Sequence, residues 1–322
     1  MAKPLSLTIV IPVFNEEENL PELIDRLEKL VPQMGRPCNV LFIEDGSQDG
    51  TYALLAKARE RLPWIGILKF ARNFGQQIGL GAGFRHANGE IVAMIDADLQ
   101  LDPEDIPVMA DKLDEGYDAA VGFRRNRPEN VFLRQIPSRL ANWSLSKLGG
   151  VKFDDLGCGL QVFRRSLFQD LDPSRTVFTH SDVFAVWRGG NVAQVPVNFH
   201  PRKHGESKYS TIDLGYLLLD LLITFSNSPA LLFVSFAIGM AALGLAGLGL
   251  AGSLMAWTFG GEFPLALAMF SCFLGLSGLF AVAVGFINER IARMSRVLDG
   301  APRYIIDRLD EPAVFAGAVS HE

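Results

Sequence analysis

In the stretch Glu90–Pro107, "EIVAMIDADLQLDPEDIP", an apolar run from Ile91 to Ile95 ends on two acids one residue apart, Asp96 and Asp98. Burying an unpaired carboxylate is costly, so acids that close such a strand need a use there. Two carboxylates at this spacing can face one divalent cation. Hard oxygen ligands suit Mg²⁺ or Mn²⁺, and such ions are usually held by one or two carboxylates together with substrate phosphates. A cation here therefore implies a diphosphate. A lone D-x-D is also readable as a turn with solvated acids, so its surroundings must decide. Asp102 and Glu104, beside Pro103 and Pro107, read as acids at a helix start.

The positive charge is local. Arg124, Arg125, Arg127, Arg134 and Arg139 lie in one polar, proline-bearing segment, and Arg202, Lys203 and Lys208 in another. The whole chain of 322 residues carries a net charge of −6 and a pI near 5.5, which gives no broad electrostatic case for nucleic acid. The three cysteines, Cys38, Cys158 and Cys272, lack metal-ligand spacing and suit a reducing compartment.

Strand and helix patterns alternate through the segments that must position these groups. "LSLTIVIPVF" reads as a buried strand rather than a leader peptide, and "EEENLPELIDRLEKLV" has a helical apolar stripe. "NVLFIED", "IGILKFA" and "EIVAMIDAD" read as further strands, with helices over "GSQDGTYALLAKARERL" and "GQQIGLGAGFRHANG" between them. Such βαβ repetition predicts a mainly parallel α/β sheet whose ligands sit at the carboxyl ends of its strands. Asn15-Glu16, Glu44-Asp45, Arg72-Asn73 and Asp96-Ala97-Asp98 all fall at those ends and describe one crevice. "YDAAVGFR" continues the scheme as a strand ending on Arg124, and "NVAQVPVNFH" reads as a later one.

Pro229–Phe259 contains no charged residue, and neither does Pro264–Asn288. Each exceeds the roughly 20 residues that cross a hydrocarbon core about 30 Å thick. Basic residues flank the pair at both outer ends, so the positive-inside rule places both ends in the cytoplasm. The expected organisation is a soluble α/β domain over 1–209, an interfacial amphipathic helix over 210–228, a transmembrane helical hairpin over 229–288 and a tail over 289–322. The tail's "RYIIDRL" either pairs with the domain or stays loose. Glycine-rich "GLAGLGLAG" permits close helix packing and hence a homo-oligomer.

"IVIPVFNEEENL", "IEDGSQDGT", "ARNFGQQIGLGAGFRHANGE", "IDADLQLDPEDIP" and "HGESKYS" occur in this order. Together they resemble the GT-A glycosyltransferases of the inverting family 2, whose fold is Rossmann-like. The closer resemblance is to the membrane-anchored branch that loads a sugar onto a polyprenyl phosphate. Dolichyl-phosphate mannose synthases, bactoprenol glucosyltransferases and undecaprenyl-phosphate formamido-arabinose transferases form that branch. "RNFGQ", "EGYDAAVGFRRNR", "GCGLQVFRR" and "HGESKYS" are most similar to the last group. The resemblance implies a nucleotide-sugar donor, most simply a UDP-sugar, and an undecaprenyl-type phosphate acceptor. It also implies a multi-pass protein of the bacterial inner membrane with its catalytic domain on the cytoplasmic side.

Roles follow from the resemblance residue by residue. Pro12, Phe14 and Glu16 match the nucleotide-pocket motif, and Asp45 the acid that reads the base; Arg72 joins them as a binding residue. Glu44 stands where relatives usually carry Asp, and its role is left open. Asp96, Asp98 and Gln100 match the metal and diphosphate ligands. Arg124, Arg134 and Ser138 match a loop closing over the reaction centre. Arg202, Ser207 and Lys208 match the segment that takes the lipid phosphate. Cys158 stands where bactoprenol glucosyltransferases tend to place an acid, so no catalytic base is carried over to that position.

Rival readings fall on sequence grounds. "GLGAGF" has Phe84 where the third glycine of a dinucleotide fingerprint belongs, and no strand feeds directly into it, so helix packing is the better use of its glycines. No P-loop lysine is present. A processive polysaccharide synthase would need more membrane helices and a Q-x-x-R-W motif. A non-catalytic nucleotide-sugar or lipid-binding module would not need Asp96, Asp98, Arg202 and Lys208 all together.

Overall fold

The computed structural model describes residues 4–124, 158–168, 190–201 and 304–316, with helical residues at intervals between 244 and 287. The chain divides into two units, one made of Met1–Leu214 with Pro302–Glu322, the other of Gly215–Ala301.

An eight-stranded sheet organises the first unit. In chain order its strands are β1 (Leu7–Val13), β2 (Cys38–Glu44), β3 (Ile65–Phe70), β4 (Ile91–Met94), β5 (Ala119–Arg124), β6 (Gln161–Arg164), β7 (Val192–Val197) and β8 (Ile306–Asp310). They lie side by side as β7-β5-β6-β4-β1-β2-β3-β8. The β4-β1-β2-β3 block is wholly parallel, and β5 is parallel to β7. Only β6 and β8 run against their neighbours. The mainly parallel α/β fold expected from the strand–helix alternation is the one observed.

The strands of the parallel block are buried on both faces, and for that reason they read as continuous apolar runs. Leu20, Leu23, Ile24 and Leu27 of α1 (Leu20–Leu30), Leu55 of α2 (Thr51–Arg61) and Met109 and Leu113 of α4 (Ile106–Asp114) cover one face. On the other face, α3 (Gln76–His86) packs Leu80, Ala82 and Phe84 against Val10, Ile43 and Leu68. A Cβ on Gly83 would lie 2.3 Å from Val10 Cγ1. The glycines of "GLGAGF" thus serve helix–sheet contact, as expected.

β8 settles a point the sequence left open. After the second unit the chain returns and closes the β3 edge, pairing Leu309 with Leu68 and Arg308 with Lys69. Ala316 then exchanges two backbone hydrogen bonds with Cys38, at 2.9 and 2.8 Å. An open edge strand is a template for unwanted pairing; the returning segment covers β3 and leaves the short β8, with Asp307, Arg308 and Asp310, at the edge instead.

In the second unit, Leu245, Leu248, Phe259, Met269, Phe273 and Phe280 are all exposed. Among the described residues no helix is long and apolar enough to cross a membrane. The two uncharged runs, 229–259 and 264–288, fall largely outside the described residues, as does the helix expected over 210–228.

Candidate active site

Because β1 to β5 and β7 share one direction, the loops that follow them gather at one end of the sheet. The starts of β6 and β8 join them there. At the end of β1, Asn15 adopts φ +53, a left-handed conformation that Asn tolerates better than most residues. Its N–H donates to Ser47 Oγ (3.0 Å), and its Oδ1 accepts from Gln48 N–H (2.9 Å). Glu16 N–H donates to Thr51 Oγ1 (2.9 Å), and its carboxylate accepts from Asn19 Nδ2 (2.7 Å). Pro12, Phe14 and Glu16 are half-buried along this rim.

Asp45, at the end of β2, is buried and accepts backbone N–H bonds from Phe74 (2.7 Å) and Gly75 (2.9 Å). The acid matched to base reading therefore also ties down the loop after β3. Gly46 has φ +70, and a Cβ there would stand 2.4 Å from the carbonyl carbon of Arg72, so only glycine fits. Arg72 is exposed and lies over the Phe74 ring, 4.6 Å from its centroid. Glu44 resolves differently from its neighbour. It has no exposed surface, one carboxylate oxygen accepts Ser47 N–H at 2.5 Å, and the other is buried without a partner. It belongs to the fabric of the loop.

Asp96 and Asp98 follow β4. Leu99 between Asp98 and Gln100 is held at φ +57, an unusual conformation for a bulky side chain and costly enough to require enforcement by its surroundings. Asp98 is nearly buried, and its Oδ1 accepts Gln100 N–H (3.1 Å). Asp96 Oδ1 accepts from Gln76 Nε2 at 2.6 Å. Gly159 backs the same carboxylate so closely that a Cβ would fall 2.2 Å from Asp96 Oδ2. Gln100 turns its amide toward the His200 carbonyl (3.5 Å), and His200 N–H returns a bond to Gln100 O (2.8 Å). Arg124, ending β5, is half-buried with its guanidinium 5.5 Å from the Phe199 ring centroid.

Asp102 and Glu104 stand at a helix start as expected, Asp102 just before the short turn that begins at Pro103 and Glu104 within it, but Asp102 makes no side-chain cap and both acids bind Arg26 of α1. Asp102 also contacts His200 Nε2 at 3.0 Å. Burial pushes the Asp102 carboxyl upward, but the hydrogen bonds from Arg26 and His200 outweigh it and hold the group below the ordinary carboxylate value. The loop carrying Asp96 and Asp98 is thereby fastened to α1 on one side and to residues 198–200 on the other.

Among the described residues no group of three His, Cys, Asp or Glu side chains converges as a complete metal cage. The donor set that is present, two hard carboxylates on a constrained turn, fits a Mg²⁺ or Mn²⁺ ion completed by substrate phosphate oxygens. Arg134, Ser138, Arg202, Ser207 and Lys208 lie outside the described residues. Sequence reading missed Gln76 and Gly159 as site residues. Both stand inside stretches already singled out, "RNFGQ" and "GCGLQVFRR", but only their contacts with Asp96 reveal the reason.

Comparison with known proteins decides the family. Residues 8–172 match the model of "Glycosyl transferase family 2". The chain belongs to that family. It is 34% identical over 321 residues to an undecaprenyl-phosphate 4-deoxy-4-formamido-L-arabinose transferase of Pseudomonas paraeruginosa, covering 97% of this chain and 93% of that one. A protein of the same name from Shewanella sediminis is 33% identical over 98% of this chain and 96% of its own length. Among solved structures, glucosyl-3-phosphoglycerate synthase of Mycobacterium tuberculosis, in complex with Mn²⁺, UDP-glucose and phosphoglyceric acid, matches with a TM-score of 0.51 at 18% identity. It covers 68% of this chain and 78% of its own. A further mycobacterial protein matches with a TM-score of 0.53 at 20% identity, over 68% and 73% of the two chains. At such identities the likeness speaks for the fold alone. This family 2 glycosyltransferase therefore has the sheet its strand pattern implied, with the D-x-D acids at the expected end.

Proposed function

We propose that this glycosyltransferase moves a sugar, with inversion, from a nucleotide sugar to a polyprenyl phosphate of the undecaprenyl type at the cytoplasmic face of the membrane. The observation that carries the proposal is the near full-length similarity to undecaprenyl-phosphate transferases, apolar runs included. The geometry agrees with it. The loop held by Asp45 also delivers Gln76 to Asp96, so the donor pocket and the D-x-D acids are built as one piece.

Asp96 and Asp98, with Gln100 beside them, would hold Mg²⁺ or Mn²⁺ against the diphosphate of the donor, most simply a UDP-sugar. Such an ion stabilises the charge of the departing nucleoside diphosphate as a Lewis acid. Pro12, Phe14, Glu16, Asp45 and Arg72 shape the nucleotide side. The acceptor is a phosphate monoester with a second pKa of about 6, so it arrives largely as a dianion. Cations that hold it in line with the anomeric carbon are then needed more than a strong base. Arg202, Ser207 and Lys208 are assigned that task, and Arg124, Arg134 and Ser138 the closing of the site. Cys158 is consistent with the absence of a base at its position, since it is 1% exposed and packed beside Gly122.

Residues 1–209 with the returning segment form the catalytic domain in this proposal, 210–228 an interfacial helix and 229–288 a transmembrane hairpin, giving a multi-pass inner-membrane protein. The exposed Leu, Met and Phe side chains of the second unit support a bilayer as their solvent. The glycine-rich run "GLAGLGLAG", which permits close approach of a neighbouring helix, supports a homo-oligomer.

The test is transfer of label from a panel of radiolabelled nucleotide sugars into the organic phase, using membranes that carry the protein, undecaprenyl phosphate and Mn²⁺. One donor should give lipid-linked label that disappears when the acceptor is omitted. Label that stays water-soluble with every donor would overturn the acceptor assignment. Lys208→Ala should raise the acceptor KM at least tenfold with nucleotide affinity nearly unchanged.

A further inference from the structure

The loop after β3 leans on the segment that carries β8. Ala71 N–H, just past β3, donates to Ile305 O at 2.9 Å, and one residue earlier Tyr304 is buried, 8% exposed. Its ring stacks on Phe70, 5.0 Å between centroids with the planes 29° apart. Phe70 in turn meets Phe74 edge-to-face at 5.6 Å and 85°. Phe74 and Gly75 make the two backbone bonds to Asp45, and Gln76 makes the bond to Asp96. The three rings therefore underlie a loop that touches both the nucleotide-side acid and the first D-x-D acid. That loop needs support. It contains exposed Arg72 and Asn73 and a glycine at φ +96, so it relies on the Asp45 bonds, the close approach of Gly46 and the rings to hold it.

We infer that Tyr304 is a positioning residue for the donor nucleotide. It holds Phe70 and Phe74 in register, so that the Arg72–Gln76 loop presents Asp45 and Asp96 in binding geometry. The inference rests on the donor site proposed above. It has a topological consequence: Tyr304 follows both apolar runs in the chain, so the nucleotide pocket is complete only after the chain has returned from the second unit to the sheet. The C-terminal segment is part of the donor site's architecture, although none of its residues need touch the donor.

Full-length protein tests this, with nucleotide affinity and donor kinetics measured for four variants. A panel of UDP, GDP, CDP and dTDP with Mn²⁺ identifies the nucleotide that wild type binds. Tyr304→Ala is expected to weaken that binding and raise the donor KM roughly five- to tenfold, with kcat at saturating donor within about twofold, in keeping with the strength of an aromatic pair. Tyr304→Phe keeps the ring and should behave as wild type. Tyr304→Leu keeps apolar volume but loses the stack, and should show the KM rise in a folded protein even if the alanine variant unfolds. Leu309→Ala is the control: it loosens β8 against Leu68, lowering Tm, and should leave the donor KM unchanged. An unchanged KM in Tyr304→Leu, or an equal rise in Leu309→Ala, overturns the positioning role alone. Wild type that binds none of the nucleotides overturns the donor site itself and the inference with it.

Discussion

Glu44 and Asp45 are adjacent acids with opposite fates. Glu44 is sealed in the sheet with one oxygen unpartnered, whereas Asp45 faces the loop after β3 and accepts two backbone N–H groups. Hydrogen bonds to a charged group contribute about 1.5–3 kcal/mol each, so losing both in Asp45→Ala should cost at least about 3 kcal/mol. For a unit of this size that is a Tm decrease of roughly 6–12 °C, visible by calorimetry, accompanied by loss of nucleotide affinity. Glu44→Gln keeps an oxygen for Ser47 N–H and a side chain of the same shape. It should leave both nucleotide affinity and transfer within twofold of wild type. A large loss of nucleotide affinity in Glu44→Gln would return that residue to the site.

The β4–α4 loop shows what an element adds to its residues. Gly159, at the start of β6, stands so close to Asp96 that Gly159→Ala must swing the carboxylate aside. The displaced group is the far end of a side chain, so Tm should barely move while transfer falls roughly a hundredfold, the scale expected for an ångström of misplacement. The Arg26–Asp102–His200 contacts make a pH prediction. Asp102 has a folded-state pKa below its ordinary 3.8, so its contribution to stability is complete above that value and lost as pH falls through the folded value. Arg26→Ala removes the main opposing bond, and its acid-unfolding midpoint, followed by circular dichroism, should move to higher pH. The strand–helix order and the place of the polar clusters, Asp96 and Asp98 among them, at one end of the sheet were legible in the sequence, because apolar periodicity and turn residues are local signals. Arg26 as partner of Asp102, Gln76 as partner of Asp96, and "IDRLD" as an edge strand were not. Each joins residues distant in sequence, and a short polar strand has no periodicity that separates it from a loop.

At the scale of the molecule, the chain passes from the first unit into an apolar second unit, Gly215–Ala301, and then supplies β8 to the first unit's sheet. The large apolar side chains that the second unit exposes would be costly in water, at about 25 cal/mol for each Å². The protein should therefore remain in the membrane pellet after alkaline carbonate washing and come free only in detergent; release by the wash would remove the hairpin from the account. In the proposed reaction, Asp96 and Asp98 would hold a divalent ion that would stabilise the charge of the leaving nucleotide as the lipid phosphate displaces it. The most direct measurement is lipid-phase label produced by Asp98→Asn beside wild type, in membranes supplied with undecaprenyl phosphate, labelled donor and Mn²⁺. The amide keeps an oxygen for Gln100 N–H, so the fold should persist with an unchanged Tm, and transfer should drop by about two to three orders of magnitude. Transfer at the wild-type rate by the folded variant would contradict the account.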